Sequence, residues 1–251
     1  MRATILAAGV GQRLGLAEAP PKVLLEFGGE TLLARHVRLL KDLGVERVDL
    51  AVGHRAEEVE REIARIGAQE YVETSFNPDF RRGAIVSLWT LRDAYTSGEE
   101  VLFMDGDVLY DHRMLGRLVT ADRDDCFLMD RHIEEGEDPV KLCFKDGLLV
   151  DFHKRPQRVF DWWGEWIGFA RFAPDTAEKI AAACQRYIDA GRLDEIYEEA
   201  IRDVVVTAPP GQFSVEDVTG VPWVEIDFPE DLVRAREEIF PSLMDPVASE
   251  S

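Results

Sequence analysis

Few residues in this sequence could staple a small fold or bind a structural metal. Three cysteines occur among 251 residues, Cys126, Cys143 and Cys184. Their odd number and wide spacing argue against a disulfide framework. No CxxC pair and no suitably spaced histidine makes a structural zinc site. All three are expected to be reduced and mostly buried, as in the cytosol. No apolar run approaches the roughly 20 residues of a membrane span. The N-terminus lacks the basic start and long apolar stretch of a signal peptide, so a cytoplasmic protein without membrane insertion is the expectation. Positive charge is scarce as well: 29 Lys and Arg stand against 49 Asp and Glu, a formal charge of -20. That balance argues against nucleic-acid binding, which needs a basic face. It also means that an anionic substrate would need a local island of cations or a metal ion. The five histidines are scattered, and no Ser-His-Asp order suggests a nucleophilic triad.

What is present is a large apolar share, 46%, arranged in alternating periods. A strand is expected over 2–8. A helix over 31–43 has Leu33, Val37, Leu40 and Leu43 on one face and Gly44 as its stop. A strand over 48–52 precedes a second helix on Ala56, Val59, Ile63 and Ile66, closed by Gly67. A short strand at 71–73, a helix at 83–95, a strand at 101–104, a helix at 112–122 and a strand at 126–129 follow. This βαβαβ rhythm predicts an α/β fold, a parallel sheet with helices on both faces. The second half changes style. Strands at 140–144 and 148–153 flank Lys145-Asp146-Gly147, a hairpin turn. A strand at 166–172, helices at 174–190 and 194–203, a strand at 223–227 and a proline-opened helix at 229–239 complete the pattern. No linker or repeat is visible, so one domain over 1–240 with a mixed sheet is expected, then a frayed tail over 241–251.

The first strand runs into ILAAGVGQRLG, Ile5 to Gly15. Gly9 and Gly11 let backbone N–H groups turn toward an anion, and a strand–loop–helix crossover is where such sites occur. A dinucleotide fingerprint would put a third glycine where Leu14 stands. A P-loop would put its lysine directly after a glycine, whereas Lys22 follows Pro20 and Pro21. What remains is a glycine turn, Arg13 and a stiffly presented Lys22, a set that suits a negative ligand.

Leu6-Ala7-Ala8-Gly9-Val10-Gly11-Gln12-Arg13 followed by Pro21-Lys22 resembles the signature of the nucleotidyltransferase family. Its members join a nucleoside triphosphate to a sugar phosphate or phospho-alcohol and release pyrophosphate. The resemblance implies a Rossmann-like, doubly wound, mixed but mostly parallel sheet of the nucleotide-diphospho-sugar transferase type. It places Leu6, Ala7, Ala8, Gly9 and Gly11 against the nucleotide, and Arg13 and Lys22 on its phosphates.

Asp105-Gly106-Asp107 ends an apolar strand, at the edge where α/β sites open. Carboxylates there suit Mg2+, a hard cation that shares phosphates with its ligand. Glu225 and Asp227 lie two positions apart, so on a strand they face one side, which is costly amid apolar neighbours unless a cation is shared. Glu230 and Asp231 fall in the first turn of the next helix and complement its dipole. The resemblance implies metal ligation by Asp107 rather than Asp105, and by Asp227 with Glu225; Asp105 then belongs with the nucleotide. The Glu-x-Asp form resembles the branch that makes CDP-alcohols, typified by phosphocholine cytidylyltransferases.

His153, Lys154, Arg155 and Arg158 could be the island of cations that an acidic chain requires. Lys154 resembles a family lysine that approaches the phosphates. Trp162, Trp163 and Trp166 are three of the five tryptophans. An aromatic box of this kind holds quaternary ammonium groups; the plainer reading is a hydrophobic lid or a dimer contact, which would make a homodimer. The box reading brings Trp163 and Tyr197 to the acceptor. Glu165-Trp166-Ile167-Gly168 resembles a strand of the same branch that meets the acceptor, so acceptor-binding elements are expected mainly within 139–205. Asn77 and Ser87 stand in a stretch that resembles the base-side loop of phosphocholine-type enzymes and could read cytosine edges. Gly83 is followed by Ala84 instead of the threonine usual in sugar-nucleotide pyrophosphorylases. The expected reaction is Mg2+-dependent transfer from CTP to a small phosphorylated or phosphonate alcohol. A sugar-1-phosphate nucleotidyltransferase using another triphosphate, and a non-catalytic nucleotide-binding module, are the rival readings.

Overall fold

A computed structural model describes residues 1–15, 20–132 and 139–244. The chain opens with β1 (Arg2–Ala7), then single helical turns at Gln12–Leu14 and Lys22–Leu24 and a small ladder of β2 (Glu26–Phe27) and β3 (Glu30–Thr31). The βα repeats follow: α1 (Leu32–Asp42), β4 (Val48–Val52), α2 (Ala56–Arg65), β5 (Val72–Phe76), α3 (Ala84–Thr90), α4 (Arg92–Tyr95) and β6 (Val101–Asp105). Next come β7 (Val108–Tyr110), α5 (His112–Val119), β8 (Cys126–Asp130), β9 (Lys141–Lys145), β10 (Leu148–His153) and β11 (Trp162–Phe172). The last part holds α6 (Pro174–Asp189), α7 (Glu198–Val205), β12 (Ser214–Asp217), β13 (Trp223–Glu225), α8 (Pro229–Arg234), a π-helical turn at Ala235–Ile239 and α9 (Phe240–Met244).

The main sheet runs β10-β9-β11-β6-β1-β4-β5, with β8 joined to β11 and β12 joined to β8. β1 pairs parallel with β4 and β6, and β4 with β5, as the repeats require. β11 pairs antiparallel with β6, β8 and β9 and makes the sheet mixed. Alternation along each strand sends side chains to opposite faces. Leu102 and Met104 join Leu33, Val37, Val59, Ile63, Met114 and Leu118 on one face. Phe103 between them joins Ile85, Leu88, Phe127, Ile180 and Ile201 on the other. The sheet is therefore doubly wound, as its sequence pattern implied. Among the described residues no helix is long and apolar enough to cross a membrane.

A third, smaller core decides where the site forms. Leu14, Leu25, Phe27 and Leu32 pack with Leu109, Val224, Ile226, Leu232 and Ile239. It ties the loop after β1 to the segment around β13. Leu14, which replaces a fingerprint glycine, is 1% exposed there. An apolar residue was needed at that position to clamp the loop down.

Several boundaries differ from the periodicity. β11 starts at Trp162, four residues before the expected 166, because Trp162–Glu165 pairs with β9. At Gly168 the backbone takes φ +82, and the register of β11 against β8 shifts between Trp166 and Ala170. A Cβ there would lie 2.6 Å from the Asp105 carboxylate. The expected helix at 83–95 breaks at Leu91, and α7 begins at Glu198 instead of at 194. β12 is too short and polar to read from sequence. β13 ends at Glu225 and pairs with β7, outside the main sheet. The tail expected from 241 begins with the helical turns of α9; its remainder, 245–251, lies outside the described residues.

Candidate active site

At the C-terminal edge of β1 and β6 lies a cleft of about 940 Å3. That is close to the upper end of ordinary ligand pockets and large enough for two small reactants. Leu6, Ala7, Ala8, Gly9 and Gly11 line it as the sequence suggested. Gly11 holds φ +63, a conformation most residues avoid, and lets the loop turn back over Lys22. Lys22 opens a single helical turn behind Pro21, and the residue after it, Val23, is buried. That anchoring fixes the lysine stem.

Lys22 Nζ donates to Asp107 Oδ2 at 2.9 Å and to Asp227 Oδ1 at 2.6 Å. Arg13 donates to Asp227 at 2.9 Å, and its guanidinium stands 5.3 Å from the centre of the Phe228 ring. Two pairings bring these distant residues together. β13 pairs with β7, and the Ile226 amide donates to the Asp107 carbonyl at 3.0 Å. The Asp231 carboxylate accepts from the amides of Asp227 and Phe228, which turns the chain into α8. Asp231 thus caps a helix, as its position implied.

Asp107, Glu225 and Asp227 offer carboxylate oxygens within 4.8 Å of one another. Three hard oxygen donors this close suit one Mg2+-like ion, and the bridging ammonium of Lys22 shows that two of them already share a cation. Burial would lower the Lys22 pKa, but the charges of Asp107 and Asp227 and their hydrogen bonds outweigh it and hold it above the usual lysine value. Glu225 faces the open cleft, so water reaches it. Nevertheless the surrounding protein, then Asp107 and Asp227, push its carboxyl up to about 8.

A raised carboxyl binds its proton better in the folded than in the unfolded chain. The metal-free fold therefore loses this stabilisation as pH rises from 4.5 toward about 8. A divalent ion competes with that proton. Affinity for Mg2+ or Mn2+ is expected to rise across this range, and Glu225→Gln should flatten the rise. Calorimetric metal titrations across the range check it; a wild-type affinity independent of pH would contradict the three-carboxylate site.

Asp105 also lines the cleft but is taken up internally. It accepts the Tyr197 hydroxyl at 2.6 Å. Burial, then the charges of Asp107 and Glu225, raise its pKa well above the carboxylate range. Tyr197 and Trp166 form the adjoining wall. Trp166 is 5% exposed, donates Nε1–H to the Phe169 carbonyl and packs on Phe103, Phe127 and Phe152.

Three expectations need correction. Trp163 does not face the cleft; its ring lies 5.0 Å from Lys141 Nζ, and Trp162 stacks on Phe144 at 4.1 Å. Successive strand residues point to opposite faces, so the tryptophans cannot all line one box. Asn77 is fully buried, donating to Ser87 Oγ at 3.0 Å and accepting the Asp79 amide at 2.9 Å. It shapes the turn, and Ser87 alone of the two lines the cleft. The four-cation island reduces to Lys154. His153 pairs with Glu199 at 2.9 Å, and Arg158 donates to the Val150 and Val206 carbonyls. Asp151 organises this loop, accepting from Arg202 and from the amides of Gln157 and Arg158. Burial opposes the charge on Asp151, but those partners bring its pKa down to about 2.

Arg81, Arg82 and Glu198 also line the cleft, beyond the residues singled out from sequence. The Arg81-Arg82 doublet in so acidic a chain was a usable signal. Arg82 is held by Asp194, and Gly83 lies against the backbone of Asp194 and Glu195. Glu165 is on the cleft wall as expected.

The model of the MobA-like NTP transferase domain matches residues 3–157. The CMP-5'-(3-aminopropyl)phosphonate synthase of Streptomyces rubellomurinus is 29% identical over 248 residues, covering 92% of this chain and 37% of that protein. The bifunctional IPC transferase and DIPP synthase of Thermococcus kodakarensis is 29% identical over 241 residues, covering 94% of this chain and 50% of that protein. The chain thus spans half or less of the length of these two curated relatives. The solved CTP:phosphocholine cytidylyltransferase of Streptococcus pneumoniae superposes with a TM-score of 0.71 at 23% identity, covering 94% of this chain and 97% of that one. At that identity it speaks for the fold.

Proposed function

The chain belongs to the MobA-like NTP transferase family, and from that premise we propose that it transfers a cytidylyl group from CTP to a small acceptor ending in phosphate or phosphonate. The observation that carries this reading is Lys22, bridging Asp107 and Asp227 beside Arg13 at the mouth of the glycine loop. Cations and carboxylates from three distant stretches meet where a triphosphate could lie against loop amides. The choice of CTP is supported by the Streptomyces relative, a CMP-phosphonate synthase by name, and by Gly83-Ala84.

An acceptor phosphoryl oxygen forms a bond to the α-phosphorus of CTP. The bond from that phosphorus to the α–β bridging oxygen breaks, and its electron pair leaves on pyrophosphate. The acceptor is already ionised near neutral pH, so the chemistry is positioning and charge stabilisation, with no strong base required. Asp107 and Asp227, helped by Glu225, would hold Mg2+, which when bound neutralises triphosphate charge. Arg13 and Lys22 stabilise charge that develops on the α-phosphoryl group and the leaving pyrophosphate. Gly9 and Gly11 offer amides to phosphate, Ser87 lies at the base end, and Lys154 draws the acceptor phosphate in.

Pyrophosphate release with CTP, UTP, GTP and dTTP, each against phosphocholine, phosphoethanolamine, 2-aminoethylphosphonate, inositol phosphate and glycerol phosphate, tests the reading. CTP should be preferred. Faster turnover of another triphosphate with a sugar 1-phosphate would replace it with a sugar-nucleotide synthase. CTP binding without turnover on any acceptor would favour a binding module.

A further inference from the structure

Glu198, the first residue of α7, lines the cleft beside Tyr197 yet is only 7% exposed. Its Oε2 is buried and has no hydrogen-bond partner. The hydrogen bond that its carboxyl does accept comes from its own backbone N–H, and the cations whose charge acts on it are Lys154 and His153. His153 is engaged by Glu199, whereas Lys154 lines the same cleft. A carboxylate oxygen kept dry and unpaired on a cleft wall destabilises the free protein, and a ligand donor can relieve that cost.

The wall around Glu198 indicates which donor. A cation, Lys154, and a carboxylate, Glu198, stand on the same wall, with Trp166 and Tyr197. That arrangement matches a short zwitterion, anionic at its phosphoryl end and cationic at the other. A trimethylammonium group carries no N–H and is held by aromatic faces. Here Trp162 and Trp163 are turned to other partners, and Trp166 is packed within the core. A primary ammonium has three N–H donors and can bond a lone carboxylate oxygen directly. We infer that Glu198 selects acceptors bearing a primary ammonium group, that is aminoalkyl phosphonates or aminoalkyl phosphates, over those ending in hydroxyl, methyl or trimethylammonium. The inference rests on the cytidylyl-transfer reading only in that the acceptor occupies this cleft.

Binding calorimetry on the full chain tests it without turnover. 2-Aminoethylphosphonate, phosphoethanolamine, propylphosphonate and phosphocholine are titrated into the wild type and into Glu198→Gln, with Mg2+ and a non-hydrolysable CTP analogue present. The wild type should bind either amine at least about 100-fold more tightly than propylphosphonate, as expected when a buried polar group gains or loses its partner. Glu198→Gln should erase most of that preference while leaving affinity for the CTP analogue unchanged. Equal wild-type affinity for 2-aminoethylphosphonate and propylphosphonate, tighter binding of phosphocholine, no binding of any of the four, or an amine preference kept by Glu198→Gln would each overturn the inference. The wild-type comparison holds even where the variant does not fold. Turnover of CTP with a non-amine acceptor as fast as with either amine would leave cytidylyl transfer standing while removing this selectivity. Amine selectivity without CTP turnover would do the reverse.

Discussion

Lys22→Ala is expected to lower kcat by about 100- to 1000-fold, the usual cost of removing a preorganised contact to transition-state charge. The ammonium lies 2.6 Å from Asp227 and 2.9 Å from Asp107, and the Lys22 side chain is 14% exposed, so water is a poor substitute. Two effects follow from its loss, and they separate. The metal-free variant should be less stable than wild type, because Asp107, Glu225 and Asp227 then face one another without the ammonium. Mg2+ should restore the melting temperature by neutralising the carboxylates. It should not restore kcat, because the charge on the phosphoryl group would still lack its lysine. Recovery of both by Mg2+ would mean that Lys22 only balances charge.

Asp227→Asn is expected to lower turnover at saturating CTP by at least about 100-fold and to raise the Mg2+ concentration needed for half-maximal rate. The substitution keeps side-chain shape but removes the charge that Lys22 and Arg13 share. The Asp231 cap accepts from the backbone of Asp227 and is left intact, so the fold should survive. Metal titration of the rate, with a thermal melt as control, reads both parts. Wild-type rates at an unchanged Mg2+ requirement would remove Asp227 from the site.

How much of this could be read in advance depends on the range of the interactions. The doubly wound sheet was legible because strands such as Val48–Val52 and Val101–Asp105 are apolar runs, and the helices between them carry one apolar face. Arg13, Lys22, Asp107, Glu225 and Asp227 were legible as a motif, and the structure brings them together in one cleft. Why they meet was not legible. The clamp is the small core of Leu14, Leu109, Val224 and Ile226, which joins segments separated by most of the chain.

The acceptor side was read less well for a related reason. Trp162, Trp163 and Trp166 are close in sequence, but alternation along the strand and its different pairing partners give them different neighbours. Asn77 was expected at the base because its stretch resembles a base-side loop; its burial on Ser87 is a tertiary fact. Glu198 was one carboxylate among 49 acidic residues until its unpartnered oxygen set it apart.

This acidic cleft is expected to bind a triphosphate tightly when a divalent ion joins Arg13 and Lys22. Calorimetric titration of CTP into the wild-type protein, once with a chelator and once with Mg2+, measures this dependence. Binding is expected with Mg2+, and at least about tenfold weaker binding without it. Equal affinity under the two conditions would contradict it.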